Sequence, residues 1–259
     1  MDLGIEGKQA IVCASSKGLG RACAISLARN GVSVVINGRE EDALAATARD
    51  IENLSDVSVT PVRADVSTPE GQRAILDACP NPDILVNNNG GPPFKDFREL
   101  DREAMLAGVT MNMITPIELI QSVIDGMVER GFGRIVNITS ISVKMPIPGL
   151  DLSSAARAGL TSFLAGVVPK VAEHNVTINN ILPGFFLTDR HSAALKQAME
   201  ERGMSREEAI AERAEIVPAK RFGNPAEFGE ACAFLCAASA GYITGQNLLI
   251  DGGRFPGAF

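Results

Sequence analysis

A-I-V-C-A-S-S-K-G-L-G, at residues 10–20, joins a short apolar run to a turn of small residues, and R-A-C-A-I-S-L-A-R-N follows at residues 21–30. The apolar residues 10–13 are typical of a buried strand in a parallel sheet. Gly18 and Gly20 open a segment that is predicted to be a helix, because its apolar residues recur at helical spacing. Backbone N–H groups and the helix dipole at such a junction favour a bound phosphate. The stretch therefore predicts a nucleotide site.

The composition fits one large α/β domain. The chain has 259 residues, of which 46% are hydrophobic and 21% are charged, and its net charge of −7 argues against a broad nucleic-acid-binding face. No apolar run reaches the ~18 residues of a membrane span, and the start has no signal-peptide pattern. The five cysteines lie in apolar segments, and Cys232 and Cys236 have no neighbouring ligand. We therefore expect buried cysteines, no metal, no membrane contact and a cytoplasmic protein.

Strands and helices alternate along the chain. Predicted strands lie at residues 10–13, 32–36, 57–63, 83–86, 133–138, 176–182 and 247–250. Predicted helices lie at residues 21–30, 40–54, from 67 onward, 98–110, 113–130, 153–174 and 225–237, and Ser67 is the predicted cap of the third. Residues 185–217 have a helical, charged pattern without a strand. This order predicts βαβ units, and hence a doubly wound parallel sheet of about seven strands with helices on both faces.

In such sheets, ligands bind at the carboxyl ends of the strands. Loops that directly follow the predicted strands should therefore converge on one site. These loops hold residues 14–20, Arg39, Asp65, residues 88–90, Ser140 and residues 183–184.

Five motifs, in this order, resemble the short-chain dehydrogenase/reductase family over nearly the whole chain. The glycine turn lies at residues 13–20, and N-N-N-G follows the fourth strand at residues 87–90. P-G-F-F-L-T lies at residues 183–188, and I-T-G-Q-N at 243–247 leads to D-G-G at 251–253. The whole is similar to the 3-oxoacyl-(acyl carrier protein) reductase-like branch. The resemblance implies a single NAD(P)-binding Rossmann-fold domain over residues 1–259, a helical substrate lid at about 185–217, and oxidoreduction of a carbonyl or secondary alcohol.

The resemblance also implies which residues hold the cofactor. They are Ala14, Ser16, Lys17, Gly18, Leu19, Gly20, Arg39, Asp65, Val66, Asn88, Asn89, Gly90, Pro183, Gly184 and Thr188. NAD-type sites place an acid after the second strand, whereas NADP-type sites need cations for the extra phosphate. The second strand here runs into Asn37-Gly38-Arg39 without an acid, and Lys17 lies in the turn. NADP(H) is therefore favoured over NAD(H), although Arg39 is also typical of a solvated helix start.

Ala14 stands where the family has its first glycine. Alanine is tolerated there if its φ stays negative, and Gly18 and Gly20 still permit close approach of a ligand. The alternative is that Ala14 has weakened dinucleotide binding altogether.

The catalytic positions depart from the family pattern. The resemblance assigns Ser140 and Asn112 to the family's serine and asparagine. Ser153, thirteen residues after Ser140, stands at the family's tyrosine position, and Arg157, four residues further, stands at its lysine position. The chain's one tyrosine, Tyr242, lies near the C-terminus, where we expect a structural role. The usual proton donor is therefore missing.

Other groups must then serve the reacting oxygen. An alkyl hydroxyl is a much weaker acid than a phenol, and arginine stays protonated, although its fork can hold ribose hydroxyls, a phosphate or a carboxylate. A water molecule could stand where a phenol oxygen would lie. Arg190 and His191, at the start of the lid, are candidate substrate residues, and Asp151 and Lys144 lie between Ser140 and the next helix. An ordinary polar role in the lid is the alternative for His191.

Two functions remain open. One is an NAD(P)-dependent oxidoreductase with altered acid–base machinery, for which Arg157 and Arg190 suggest an anionic small-molecule substrate. The other is a cofactor-binding sensor or scaffold without redox catalysis. Family members usually pair through the helix after the fifth strand, and residues 158–171 are apolar nearly all round, so we expect a homodimer or homotetramer. Pro169 is expected to kink that helix or to mark its last turns.

Overall fold

The computed structural model describes residues 2–188, 195–196 and 199–258, which form one seven-stranded parallel sheet. The strands are β1 (Gln9–Val12), β2 (Ser33–Gly38), β3 (Val59–Arg63), β4 (Ile84–Asn87), β5 (Gly133–Ile138), β6 (Val176–Pro183) and β7 (Asn247–Ile250). Their spatial order is β3-β2-β1-β4-β5-β6-β7. The chain reverses direction across the sheet between β1 and β4, so ligands are expected at the carboxyl ends of these two strands.

Helices cover both faces of the sheet. They are α1 (Gly18–Arg29), α2 (Glu41–Glu52), α3 (Pro69–Ala78), α4 (Arg102–Val109), α5 (Thr115–Glu129), α6 (Asp151–Ala165), α7 (Arg206–Ala214) and α8 (Pro225–Cys236). Side chains of α1, α2 and α8, among them Leu27 and Phe228, pack on one face. Side chains of α3, α5 and α6, among them Ile75, Leu119 and Leu160, pack on the other. The predicted doubly wound α/β fold is confirmed.

The burial of each strand explains its sequence. β4 and β5 are buried along their whole length, so their apolar residues run on without the alternation of a half-exposed strand. β3 lies at the edge of the sheet and is largely exposed. It contains Pro61, which lacks a backbone N–H and is tolerated in an edge strand.

The helices predicted at residues 98–110 and 113–130 are joined in the structure. α4 passes into α5 through a π-helical turn at Thr110–Ile114, so the predicted break is a local widening of a continuous helical segment. Such turns occur frequently at functional sites, and this one carries Asn112.

Two other predicted boundaries are wrong. The helix predicted at residues 153–174 ends at Ala165, and Pro169 lies in a separate 3₁₀ turn. Proline has no backbone N–H, so it cannot donate the hydrogen bond that would continue the helix. Thr68, and not Ser67, caps α3 by accepting a hydrogen bond from the Gly71 N–H at 3.1 Å. The Ser67 hydroxyl instead donates a hydrogen bond to Oδ1 of Asp65 at 2.6 Å.

Four asparagines form a row across the sheet beside the loops of the site. Asn87, Asn137, Asn180 and Asn247 occupy matching register positions on β4, β5, β6 and β7. Each side-chain amide donates to the oxygen of the next, over 2.9 Å, 3.0 Å and 2.9 Å along the row. This asparagine row ties four neighbouring strands together at one level of the sheet, which is the end of β4 and the beginning of β7.

None of the helices in the described part of the chain is long and apolar enough to cross a lipid bilayer. The described residues also contain no group of three or more acidic, cysteine or histidine side chains placed to hold a metal ion. All five cysteines are buried and unpaired. Burial raises the pKa of the Cys13 thiol to about 12, which keeps it protonated and unreactive at neutral pH.

Candidate functional site

The turn between β1 and α1 is shaped for an anion. Among the described residues no side chain caps the first N–H groups of α1, and no acid lies in its first turn. Gly18 supplies a positive φ of 60° at the start of the helix. A Cβ atom on Gly20 would lie 2.5 Å from the Ala14 carbonyl oxygen and 2.8 Å from Nδ2 of Asn88, so only glycine fits. A phosphate can therefore approach both the backbone and the positive end of the helix dipole.

Ala14 has a left-handed backbone, with φ of 43°, so the negative φ on which tolerance of alanine depends is not met. Hydrogen bonds hold it there: its N–H donates to Oδ1 of Asn37 at 3.2 Å, and its carbonyl accepts from Nδ2 of Asn88 at 3.1 Å. The left-handed region costs a residue with a Cβ atom roughly 1–2 kcal/mol. The turn therefore holds Ala14 in a strained conformation.

Replacing Ala14 by glycine is expected to raise the free energy of unfolding by about 1 kcal/mol, because the strain disappears while the added chain entropy of glycine cancels part of the gain. Urea denaturation measures the change. Ala10→Gly, at a buried position of β1, is the control and should destabilise the protein. An Ala14→Gly variant that is no more stable than the parent would contradict the claim that the backbone of Ala14 is strained.

A cavity of about 290 Å³ lies beside this turn, at the carboxyl ends of β2 and β3. We name it the side cavity. It is lined by these predicted cofactor residues: Ala14, Ser16, Arg39, Asp65, Val66, Asn88, Asn89 and Gly90. The predicted convergence of these loops therefore holds in the structure.

Paired charges surround the side cavity. Lys17 Nζ lies 2.6 Å from Oε2 of Glu40, and Arg39 Nη1 lies 3.7 Å from Oδ2 of Asp65. The bond from Lys17 lowers the pKa of Glu40, and the hydrogen bond from the Ser67 hydroxyl is the main cause of a lowered pKa at Asp65. The sequence predicts no acid at the end of β2, yet Glu40 lines the cavity two residues beyond that strand.

A second cavity of about 410 Å³, which we name the central cavity, lies at the carboxyl ends of β5 and β6. Five predicted cofactor residues line it besides Asn88: Leu19, Asn89, Pro183, Gly184 and Thr188. Lys17 is the N-cap residue of α1, and Gly18 and Gly20 lie in its first turn. Ser140, Ser153 and Arg157 also line the central cavity, so three of the four predicted catalytic residues meet there.

Ser140 and Ser153 are held in the same way. Ser140 Oγ accepts a hydrogen bond from the Ser142 N–H at 3.1 Å, at the start of a 3₁₀ turn. Ser153 Oγ accepts one from Nε of Arg157 at 3.2 Å, across one turn of α6. Arg157 also donates from Nη1 to the Ile138 carbonyl at 2.7 Å, which fixes the guanidinium between α6 and β5. Both hydroxyl oxygens are thus occupied as acceptors, and both hydroxyls can still donate.

Asn112 lies deeper than the other three. It is buried on the π-helical turn, where Nδ2 donates to the Gly108 carbonyl at 3.4 Å, and its Oδ1 has no partner among the described residues. It lines a separate small cavity of about 20 Å³, which Arg157 also borders. Arg157 therefore stands between Asn112 and the central cavity.

The remaining candidates are placed less directly. Arg190 and His191 lie outside the described residues. Asp151 is exposed at the start of α6, and Nζ of Lys144 lies 5.6 Å from the ring centroid of Phe255. Tyr242 is fully exposed and precedes β7 by five residues, so it lies toward the amino ends of the strands, away from the central cavity.

Sequence reasoning misses two arginines that line the central cavity. Arg213 lies on α7 and Arg254 follows D-G-G after β7. A signal exists for Arg254, because it comes directly after a strand's carboxyl end, where this fold binds ligands. Nothing in the charged helical pattern around Arg213 distinguishes it from its exposed neighbours.

Comparison with known proteins agrees with this geometry. A family profile described as Enoyl-(Acyl carrier protein) reductase matches residues 13–254. NADPH-dependent reductase BacG of Bacillus subtilis is 32% identical over 251 residues, which are 95% of this chain and 97% of that protein. 3-Oxoacyl-[acyl-carrier-protein] reductase FabG of Vibrio cholerae is 32% identical over 257 residues, covering 98% and 99%.

The solved structures include a protein with the same architecture over almost every residue. L-sorbose reductase from Gluconobacter frateurii, complexed with NADPH and L-sorbose, superposes with a TM-score of 0.95 at 30% identity, covering 99% of this chain and 100% of that one. Matches of this extent confirm the resemblance that the motifs carry. The chain belongs to the short-chain dehydrogenase/reductase family, in its 3-oxoacyl-(acyl carrier protein) reductase-like branch, and is an NAD(P)-dependent oxidoreductase of carbonyl or alcohol substrates.

Proposed function

We propose that this protein uses NADP(H) to interconvert a ketone and a secondary alcohol in the central cavity, with Ser140 and Ser153 donating hydrogen bonds to the reacting oxygen. One observation carries the proposal. Both hydroxyl oxygens already accept a hydrogen bond from a protein donor, so the proton of each hydroxyl is left for an acceptor in the cavity.

The pair would stabilise the negative charge that develops on the oxygen. Preorganised donors aimed at such a charge are usually the largest contribution to catalysis. Arg157 strengthens the Ser153 donor, because its guanidinium carries a permanent charge and donates to the hydroxyl oxygen at 3.2 Å. Arg157 thus positions and polarises Ser153 while it remains fixed to the Ile138 carbonyl.

We propose that the proton itself comes from water. A serine hydroxyl is too weak an acid to replace a phenol, and Arg157 cannot release a proton at neutral pH. In the reducing direction, the carbonyl carbon gains a hydride and its oxygen takes a proton from water, which gives the alcohol and leaves a hydroxide that the solvent neutralises. Losing a general acid usually costs about 10²–10⁴-fold in rate, so this site is expected to be slow rather than inactive.

The residues present fit a dinucleotide. The start of α1, which no N-cap side chain covers, suits its pyrophosphate, and Gly20 lets the turn and Asn88 pack closely against that start. The side cavity suits its adenosine end. Asn88, Asn89, Pro183, Gly184 and Thr188 would hold the nicotinamide end. When bound, the reduced nicotinamide supplies the hydride and is oxidised.

The choice of NADP(H) rests on Lys17 and Arg39, and the names of two relatives agree with it. BacG is described as NADPH-dependent, and L-sorbose reductase was crystallised with NADPH. Arg39 can grip a phosphate with two donors, and Lys17 adds a point charge. Glu40 would have to release Lys17 to that phosphate, because they are 2.6 Å apart.

Removing the Arg39 charge is therefore expected to weaken NADPH binding selectively. Arg39→Gln should raise the Kd for NADPH about 10-fold and leave that for NADH unchanged, as loss of a charge-assisted phosphate contact predicts. Glu40→Gln should act in the opposite direction, because it frees Lys17. Fluorescence titration measures both. Arg49→Gln, on the exposed face of α2, is the matched control, and equal effects on NADPH and NADH would contradict the assignment.

The function itself is tested by titrating NADPH and NADH by fluorescence and then adding a panel of ketones and keto acids. Binding followed by oxidation of NADPH is the expected result. Binding without turnover of any ketone or alcohol would overturn the enzyme proposal in favour of a sensor or scaffold. Failure to bind either dinucleotide would overturn both.

We also propose that residues 1–259 form one domain, in which residues 185–217 act as the substrate lid. Both ends of that range line the central cavity: Phe185, Phe186 and Thr188 at its start, and Arg213 and Ile216 near its end. The five reduced, buried cysteines favour a cytoplasmic location.

We propose that the protein pairs through α4, α6 and the π-helical turn between α4 and α5. Exposed apolar side chains gather on these elements: Met105, Leu106, Ile114 and Phe163 are each more than two-fifths exposed. Such a surface favours a partner copy, which agrees with the expected homodimer or homotetramer. Light scattering on the purified protein measures the state, and a monomer would contradict the proposal.

A further inference from the structure

Arg213 and Arg254 bring two positive charges to the central cavity that the cofactor and the reacting oxygen do not require. Arg213 reaches it from α7, and Arg254 from the loop after β7. Ion pairs between the described residues involve neither of them. The described lining of the cavity contains no acidic residue. Because like charges repel, two cations that face such a lining favour an anionic ligand there.

Arg254 is held in place and is partly removed from water. Its guanidinium lies 4.1 Å from the ring centroid of Phe185. Desolvation is the main cause of a lowered pKa at Arg254, the charge of Arg213 acts in the same direction, and Asp251 opposes them. The Asp251 carboxylate accepts hydrogen bonds within the same loop, from the backbone N–H groups of Gly253 at 2.9 Å and Phe255 at 2.8 Å.

In the described part of the chain, the other arginines of the site do not direct their charge to a substrate in the central cavity. Arg157 directs Nε and Nη1 to Ser153 and to the Ile138 carbonyl. Arg39 lies at the side cavity. The anionic substrate that the sequence suggests through Arg157 is therefore better explained by Arg213 and Arg254.

Apolar side chains complete the wall of the central cavity. Phe94, Ile141, Ile147, Leu150 and Ile216 line it together with Ser140 and Ser153. A ligand that satisfies the whole cavity has a carbonyl oxygen, an apolar body and an anionic group. Planar guanidinium groups bind carboxylates with two parallel hydrogen bonds, which adds orientation to charge.

We propose that Arg213 and Arg254 form an anion subsite that binds the carboxylate of an oxo acid, while the carbonyl of the same molecule lies at Ser140 and Ser153. The identity of the reacting end rests on the proposed function, whereas the anion subsite stands on the two arginines alone. The subsite makes the protein specific for free oxo acids over neutral ketones and esters.

The first test compares 4-oxopentanoate with its methyl ester in the NADPH-dependent assay. We expect kcat/KM to be about 10- to 100-fold higher for the acid, as for other charge-assisted bidentate contacts. Arg254→Gln and Arg213→Gln should each remove most of that preference by raising KM for the acid, with the ester unaffected. Arg254→Lys should restore part of it. Arg206→Gln, an exposed position on α7 away from the cavity, is the control and should change nothing.

The second test does not depend on turnover. Calorimetry measures the binding of pentanoate, which has the carboxylate but no carbonyl, to the protein alone and with NADP⁺. Binding that Arg254→Gln weakens about 10-fold or more supports the subsite, even if no ketone is reduced and the proposed function fails. Equal use of acid and ester, or pentanoate binding that neither arginine variant weakens, would overturn the subsite while leaving ketone reduction intact.

Discussion

Replacing Ser140 by alanine is expected to lower kcat for ketone reduction about 100- to 1,000-fold, the usual cost of removing one donor from a developing oxyanion. The Kd for NADPH should not change, because the hydroxyl is assigned to the substrate oxygen. Stopped-flow or steady-state oxidation of NADPH measures the rate, and fluorescence titration measures the Kd. A loss of kcat with unchanged cofactor binding would place Ser140 at the reacting oxygen.

The chain offers a matched control for this substitution. Ser154 lies next to Ser153 on α6, but its hydroxyl donates to the Leu150 carbonyl at 2.8 Å and does not line the central cavity. Ser154→Ala should keep nearly full activity. Ser140→Thr, which retains a hydroxyl on the same backbone, should recover part of the rate. Full activity in Ser140→Ala would contradict the mechanism, as would equal losses in the Ser140 and Ser154 variants.

Much of this site could be predicted from the sequence, because the sequence shows where each strand ends. Apolar runs mark the strands, and parallel strands bring their carboxyl ends to one edge of the sheet, so the loops with Arg39, Asp65 and Ser140 are predicted at that edge. The sequence does not show that Arg39 and Asp65 line one cavity and Ser140 another. The family motifs then supplied roles for the glycine turn. The sequence pattern thus predicts the course of the backbone and the loops that carry the site.

Details that depend on torsion angles, register or side-chain contact could not be predicted. The positive φ of Ala14 is held by two hydrogen bonds: its N–H donates to Oδ1 of Asn37, and its carbonyl accepts from Nδ2 of Asn88. Glu40 meets Lys17 only because the turn after β1 and the end of β2 come together. The strand end before Arg254 points to this edge of the sheet, but the contact of its side chain with the central cavity depends on the course of the loop after β7.

The asparagine row is another feature that the sequence alone could not predict. A substitution that breaks this row is expected to have the largest effect on the free energy of unfolding. Each of the four asparagines is visible in the sequence, yet their pairing depends on the register of four strands. Asn137 occupies the centre: its Oδ1 accepts from Asn87, and its Nδ2 donates to Oδ1 of Asn180 at 3.0 Å. Both neighbours are buried, so neither can turn to water for a replacement partner.

Asn137→Leu is therefore expected to lower the free energy of unfolding by about 3 kcal/mol, because it leaves a buried donor and a buried acceptor unsatisfied at roughly 1–3 kcal/mol each. Leucine has a similar volume, so lost packing contributes little. Urea denaturation followed by circular dichroism measures the change. Asn247→Leu is the control: it ends the row on the edge strand, is only half-buried, and removes the partner of one buried group instead of two, so it should cost about half as much.

Asn137→Asp separates hydrogen bonding from shape, because the two side chains are nearly isosteric. A carboxylate can still accept from Asn87, but it has no proton to donate to Oδ1 of Asn180, and burial disfavours its charge. The folded-state pKa of this aspartate should lie above its unfolded value, so the protonated form stabilises the protein at low pH, and that stability is lost as pH rises through the folded-state pKa. We expect the variant to gain stability relative to the parent as pH falls from mildly basic to mildly acidic. The opposite trend would show that the row tolerates a charge, and that its hydrogen bonds do not join the strands as described.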